Sequence, residues 1–170
     1  MDSKVKIFQE RAYGELIAAR ALRKLSEDEK SKEILEVPSS SSFYSGVIGH
    51  AYYAIFYSTQ AYLAYKNIPV SSEQGVHQQV YFKFKHIIEK ETSEKELLNI
   101  YEDIQAKAEM LLGIFVAEKK KRKTFTYETI PQANKPPADD SIENANIFIS
   151  HINNFIDQQE NSKNDSHQII

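Results

Sequence analysis

Val47-Ile48-Gly49-His50-Ala51-Tyr52-Tyr53-Ala54-Ile55-Phe56-Tyr57-Ser58-Thr59-Gln60-Ala61-Tyr62-Leu63-Ala64-Tyr65 decides the fold of this chain. Written at helical spacing it yields two adjacent stripes. Val47, Ala51, Ala54, Ser58, Ala61 and Tyr65 recur in steps of four and three and are mostly small, which lets a second helix approach closely. Beside them run His50, Tyr53, Tyr57 and Gln60, each with a bulky body and a polar tip. A helix serving only as core has no need of such a row, because every buried tip requires a hydrogen-bond partner. The segment reads as a central helix with a chemical edge.

Working outward, the remaining segments repeat the helical period. Val5, Phe8, Ala12, Leu16, Ala19, Leu22 or Arg23, and Leu25 form one face of a first helix that starts at Ser3 and extends toward Leu35. Ser26-Glu27-Asp28-Glu29 has the form of a capping box and offers a second, short helix instead of a continuation. Pro38-Ser39-Ser40-Ser41-Ser42 is a connector, and the central helix spans Phe43 to Lys66 before Asn67-Ile68-Pro69 ends it. Ser71 or Ser72 caps the next helix, with Val76, Val80, Phe84 and Ile87 or Ile88 facing inward. After a break at Thr92-Ser93-Glu94, Leu97, Tyr101, Ile104, Ala108, Leu111 and Phe115 make a further seam whose continuation reaches Glu118 and Arg122. A proline-bearing loop from Pro131 to Pro137 precedes a last helix that starts at Asp139, Asp140 or Ser141 and carries Ile142, Ala145, Ile149, Ile152 and Ile156. The expected fold is all-α, an antiparallel bundle of four or five helices. Residues 1–157 form one domain, and the tail from Gln158 is polar and expected to fray.

Composition narrows the functions available. The 170 residues suit one core, and a net charge of −3 leaves any nucleic-acid role to a local patch. The absence of cysteine removes disulfides, thiolate zinc sites and cysteine nucleophiles, and fits a reducing cytoplasm. The charged start Met1-Asp2-Ser3-Lys4-Val5-Lys6 lacks the apolar core of a signal peptide, and no apolar run is long enough to span a membrane. His77 and His86 do not share the i, i+3 or i+4 spacing of helical metal ligands, so no metal site or cofactor is expected. No glycine-rich phosphate loop or nucleophile elbow is present.

Three segments carry a family resemblance. Gly49-His50-Ala51-Tyr52-Tyr53-Ala54-Ile55-Phe56 with Ala61-Tyr62-Leu63 resembles a helix reading Ser-Arg-x-Tyr-Tyr-Ala-x-Phe-x-x-x-x-Ala-x-Leu. Ser71-Ser72-Glu73-Gln74-Gly75-Val76-His77 is similar to a Lys-Thr-His-x-Gly-Val turn, and Arg122-Lys123-Thr124-Phe125-Thr126-Tyr127 to an Arg-x-x-Ala-Asp-Tyr segment. Together, over residues 5 to 156, they resemble the HEPN domains (higher eukaryotes and prokaryotes nucleotide-binding). The resemblance implies a HEPN-like helical domain that binds nucleic acid, such as RNA, or a nucleotide. It also implies a homodimer in which the Arg-bearing ends of two fourth helices face one cleft. A small nucleotidyltransferase partner, in a toxin–antitoxin-type pair, is implied as well.

The departures bear on activity. His50 stands where the resemblance calls for arginine, and Glu73 where the turn has histidine, with His77 one turn further on. Ribonuclease members carry arginine followed four to six residues later by histidine; here Arg122 is followed at five residues by Tyr127. A phenol with an ordinary pKa of about 10 is a poor general base at neutral pH. The expectation is therefore a non-catalytic or regulatory binding domain, with a metal-independent endoribonuclease using an altered Arg-x4-Tyr motif as one alternative. A helical protein-interaction scaffold without nucleotide binding is the other.

The candidate contact residues are Arg122, Tyr127, His50, Tyr53, Lys119, Lys123 and His77. Each has a plainer role to set beside it. His50, Tyr53 and Tyr57 can satisfy one another inside the bundle, and Lys119, Lys120, Lys121 and Lys123 suit a helix C-terminus or a solvated face. Arg122 stands apart because it extends an apolar seam, which suits a guanidinium held at a cleft for phosphate.

Overall fold

The computed structural model describes residues 2–71, 75–90, 96–103, 105–106 and 135–166, the last five for their backbone alone. Among the described residues there is no strand. Helix α1 is Ser3–Glu27, α2 Glu29–Ile34, α3 Tyr44–Tyr65 and α4 Val76–Lys90. Residues 96–103 open α5, and α6 is Lys135–Ser166. The fold is an all-helical bundle, as its periodicities predict.

The bundle is organised around α3, which packs on α1, α6 and α4. Its small stripe is buried: Ala51, Ala54 and Ala61 share one hydrophobic cluster with Val5, Ala12 and Leu16 of α1, Val47 shares another with Ala19, and Ser58 is buried among them. Helices with alanine on both sides approach closely, and at Gly46 even one added methyl would come within 2.9 Å of Leu22 Cδ1. Farther along α3, Tyr62 meets Phe84 of α4 edge-on and Phe155 of α6 at a tilt. Phe84, Tyr101 of α5 and Phe148 of α6 complete an aromatic layer with ring centroids 5.7 to 6.2 Å apart. No helix among the described residues is long and apolar enough to cross a membrane.

Several boundaries depart from the expected ones for local reasons. The chain does break after α1, but Asp28, not Ser26, is the N-cap of α2. Ser26 instead donates its hydroxyl to Leu22 O and accepts from Phe43 N, tying α1 to the start of α3. Lys32 is buried and donates to Glu29 and to Ser39 O at 2.6 Å, which pins the serine-rich connector. Helix α3 ends where Asn67-Ile68-Pro69 predicts. Asn67 adopts a left-handed φ of 56°, its N–H reaches Ala64 O, and Ile68 N reaches Leu63 O. These two bonds satisfy carbonyls that the helix end leaves open.

Gly75, whose φ is 64° and whose carbonyl accepts from Gln79 N, immediately precedes α4; Ser71 lies four residues earlier and Ser72 outside the described residues. Ser71 N–H is held by the Gln79 side chain. Helix α6 starts four residues before Asp139, because Pro136 and Pro137 fall in its first turn, where a missing N–H costs nothing. Its apolar contacts end at Ile156, while the backbone continues helically through Ser166.

If the small stripe sets the α1–α3 spacing, Ala54→Leu forces those helices apart. Thermal unfolding should show a loss of about 2–3 kcal/mol, a Tm lower by roughly 5–10 °C. Ser45→Leu, on an exposed position of the same helix, should move Tm by no more than about 2 °C.

Candidate functional site

Three sides of α3 are covered by α1, α6 and α4, and the polar-tipped row lies on the fourth. His50, Tyr57 and Gln60 are partly exposed, and Tyr53 keeps 40% of its surface in solvent. The small stripe beside it is buried, which leaves Tyr53 outward while His50 and Tyr57 border α1. The row is therefore legible in the sequence; its surroundings are not.

Glu15 of α1 supplies the main surprise. Its Oε2 lies 2.6 Å from His50 Nδ1, with the two side chains 26% and 40% exposed. A carboxylate at Nδ1 fixes the ring so that Nε2 faces away from α1. Arg11, one turn before Glu15, places its guanidinium 5.6 Å from the centre of the Tyr57 ring. Phe8, one turn earlier again, stacks on Tyr57 at 6.4 Å. Tyr53 stacks on Tyr57 at 6.3 Å and meets Tyr52 edge-on at 5.5 Å. Phe8, Arg11 and Glu15 thus line the α3 row from α1 at steps of three and four, a flank that the apolar face of α1 alone does not single out.

His77, at the second position of α4, closes the other side. Its ring stacks on Phe56 at 4.1 Å and lies edge-on to Tyr53 at 5.8 Å. Nδ1 is 2.7 Å from Tyr52 Oη, a hydrogen bond whose donor depends on the imidazole tautomer. Although the residue keeps an exposed edge, burial of its inner face lowers its pKa from the ordinary value of 6.5. A neutral imidazole suits this position, because a helix N-terminus disfavours added positive charge.

Below the row lies a cleft of about 240 Å³ between the start of α1, the end of α3 and the α3–α4 connection. Phe8, Ala64, Ile68, Val70 and Val76 give it apolar walls, with Lys4, Gln60 and Ser71 at the polar positions. The row and cleft form one continuous surface, since Phe8 and Gln60 belong to both. Aromatic faces, a guanidinium and an oriented histidine there can stack a planar group and hold an anion.

The structure brings His50, Tyr53 and His77 to this surface. Arg122, Tyr127, Lys119 and Lys123 lie outside the described residues, as does the Glu73 position. His86 is exposed on α4, away from the row, and the described residues contain no group of three His, Asp or Glu side chains placed to share a metal ion. Comparison with protein-family models, with curated proteins and with solved structures finds no match to this chain.

The lowered pKa of His77 makes a signed prediction. The unfolded chain binds this proton more readily than the folded one, so stability is full above about pH 6.5 and declines as pH falls through the depressed value. Chemical denaturation of wild type and His77→Phe from pH 7.5 to 5 should give a steeper decline for wild type. Parallel curves would mean that the imidazole is not desolvated in the fold.

Proposed function

We propose that this chain is a HEPN-like helical domain that binds nucleic acid or a nucleotide, using the α3 row and its α1 flank as the contact surface. Tyr53 carries the reading. A large aromatic ring left 40% exposed, and set among other rings, offers a base a stacking platform without further rearrangement. Arg11 over the Tyr57 ring and Lys4 at the adjoining cleft put positive charge beside the row, where a backbone phosphate could be held. The basic run from Lys119 to Lys123, with Arg122, extends the proposal to a second phosphate-binding element. A small nucleotidyltransferase as partner, in a toxin–antitoxin-type pair, belongs to the same proposal and rests on the resemblance alone.

A second reading has its own observation. The 2.6 Å contact between Glu15 and His50 is the arrangement by which a carboxylate orients an imidazole for proton transfer. In a metal-independent ribonuclease, His50 Nε2 would take the proton of a 2′-hydroxyl as its oxygen bonds to the neighbouring phosphorus, closing a 2′,3′-cyclic phosphate while the P–O5′ bond breaks and the leaving 5′-oxygen takes a proton from water. The binding reading is preferred because the Arg-to-His spacing of the ribonuclease members is missing.

One experiment addresses both. Fluorescence anisotropy with labelled single-stranded RNA in EDTA should show binding that weakens as salt rises. Tyr53→Ala should weaken it about 5- to 150-fold, equivalent to the ~1–3 kcal/mol of one stacked base. Binding that ignores both salt and Tyr53 would overturn the proposal. RNA cleaved by wild type and spared by His50→Gln would instead select the ribonuclease.

A further inference from the structure

The cleft below the row has walls that the chain's own hydrogen bonds hold in place. Its outer wall is the α3–α4 connection, which is tied down at almost every residue. Asn67 turns the chain with a left-handed φ of 56°, and Ile68 N–H donates to Leu63 O. Lys83 Nζ then donates to Pro69 O, and Ser71 N–H to the Gln79 side chain. Ile68 and Val70 are half-buried while Pro69 and Ser71 are exposed, so the apolar side chains of this extended stretch alternate inward. Phe8 of α1, Ala64 of α3 and Val76 of α4 complete the lining, packed against the core yet keeping surface toward the cleft. A preformed apolar hollow with a few polar groups at its rim is the usual form of a small-molecule site.

Size and charge define what fits. About 240 Å³ is the liquid volume of about eight waters, room for an organic molecule of about ten heavy atoms. That is too little for a whole nucleotide. No Asp or Glu lines the cleft among the described residues, and Asp2, the nearest carboxylate along the chain, is engaged on Lys4 N as the cap of α1. The Lys4 ammonium and the Gln60 side-chain amide make no ion pair or hydrogen bond among the described residues. The N-terminal end of α4, at Val76, adds positive potential at the same rim. An ammonium and an amide N–H are two donors, which suits the two oxygens of one carboxylate. A dianion would bring more charge than a single lysine balances, and a cation would meet Lys4.

We propose that this cleft binds a small monocarboxylic acid of about ten heavy atoms. Its apolar body lies among Phe8, Ala64, Ile68, Val70 and Val76, and its carboxylate between Lys4 Nζ and the Gln60 amide. Such a ligand joins α1, α3, the connection and α4. Phe8 and Gln60 also belong to the row, where Phe8 stacks on Tyr57, so an acid in the cleft adjoins whatever the row holds. The proposal does not rest on the nucleic-acid reading, and its test uses no RNA.

Octanoate is the probe, with octanamide and acetate beside it. In proton–nitrogen NMR titrations of the full chain, octanoate should shift the amides of Ala64, Ile68 and Val70 along one saturating curve, with a Kd of roughly 0.1–1 mM for so few atoms. Octanamide has the same size without the charge and should bind about three- to tenfold more weakly. Acetate has the charge without the body and should leave these amides in place. Lys4→Met keeps the apolar stem at an exposed position and should weaken octanoate about three- to tenfold, with octanamide bound as before. Ala64→Phe, checked for its fold by circular dichroism, should fill the cleft and remove the shifts from both. Equal affinity for acid and amide overturns the proposal. So does an octanoate affinity unchanged by Lys4→Met, a set of shifts centred on other residues, or no shift at about 10 mM octanoate.

Discussion

The approach of α3 to α1 is the contact on which the remaining structure depends. Ala51, Ala54, Ser58 and Ala61 of α3 and Ala12 and Ala19 of α1 are buried with almost no side-chain bulk, and Gly46 lies close against Leu22. With the two axes this close, α6 covers one side of the pair and α4 covers the far side of α3. Larger residues here would have no room in a core already filled by buried side chains such as Leu16 and Ile55. The seam also sets the orientation of α3 about its own axis. That orientation sends His50, Tyr53, Tyr57 and Gln60 outward.

Seen this way, the candidate site follows from packing. Its aromatic members are neighbours of a buried stripe, left exposed because no fourth helix among the described residues covers them. Its charged members come from a different helix, and reach the row because α1 runs alongside α3 over most of its length. Arg11 on Tyr57 and Glu15 on His50 both join the core-forming pair across its exposed edge. Such contacts give little stability at the surface, where water competes for both partners. Their larger effect is orientation: a free tyrosine and a free histidine sample many rotamers, whereas these are held in narrow ranges.

The two faces of α1 pose complementary questions. One face is buried and explains itself. The other carries the half-exposed Ile7 and Ile17 and a glycine whose added Cβ would meet nothing. Shared surfaces often have this character, because residues that look misplaced in a monomer are partnered in an assembly.

Helix periods, the Asn67-Ile68-Pro69 stop, the buried seams of α3 and α4 and the row of polar tips were all legible in the chain, because each depends on residues within a few turns of one another. Phe148 was passed over on α6 because the isoleucine spacing accounts for a face without it; only the arrival of Tyr101 and Phe84 makes it core. The start of α6 was placed too late, since prolines were read as loop where a first helical turn tolerates them. The capping role given to Ser26 went to Asp28, because Leu22 O and Phe43 N–H claim the Ser26 hydroxyl, and of the two serines offered for the next helix Ser71 lies four residues before Gly75 and Ser72 outside the described residues. What the sequence by itself determined is the helical class, the central helix and the chemistry available on its edge, all consequences of periodicity along one segment. Only the tertiary structure decided that Glu15 binds His50, that Arg11 lies over Tyr57 and that His77 stacks on Phe56. Those pairs are 35, 46 and 21 residues apart in the chain, and no local pattern encodes which helix faces which.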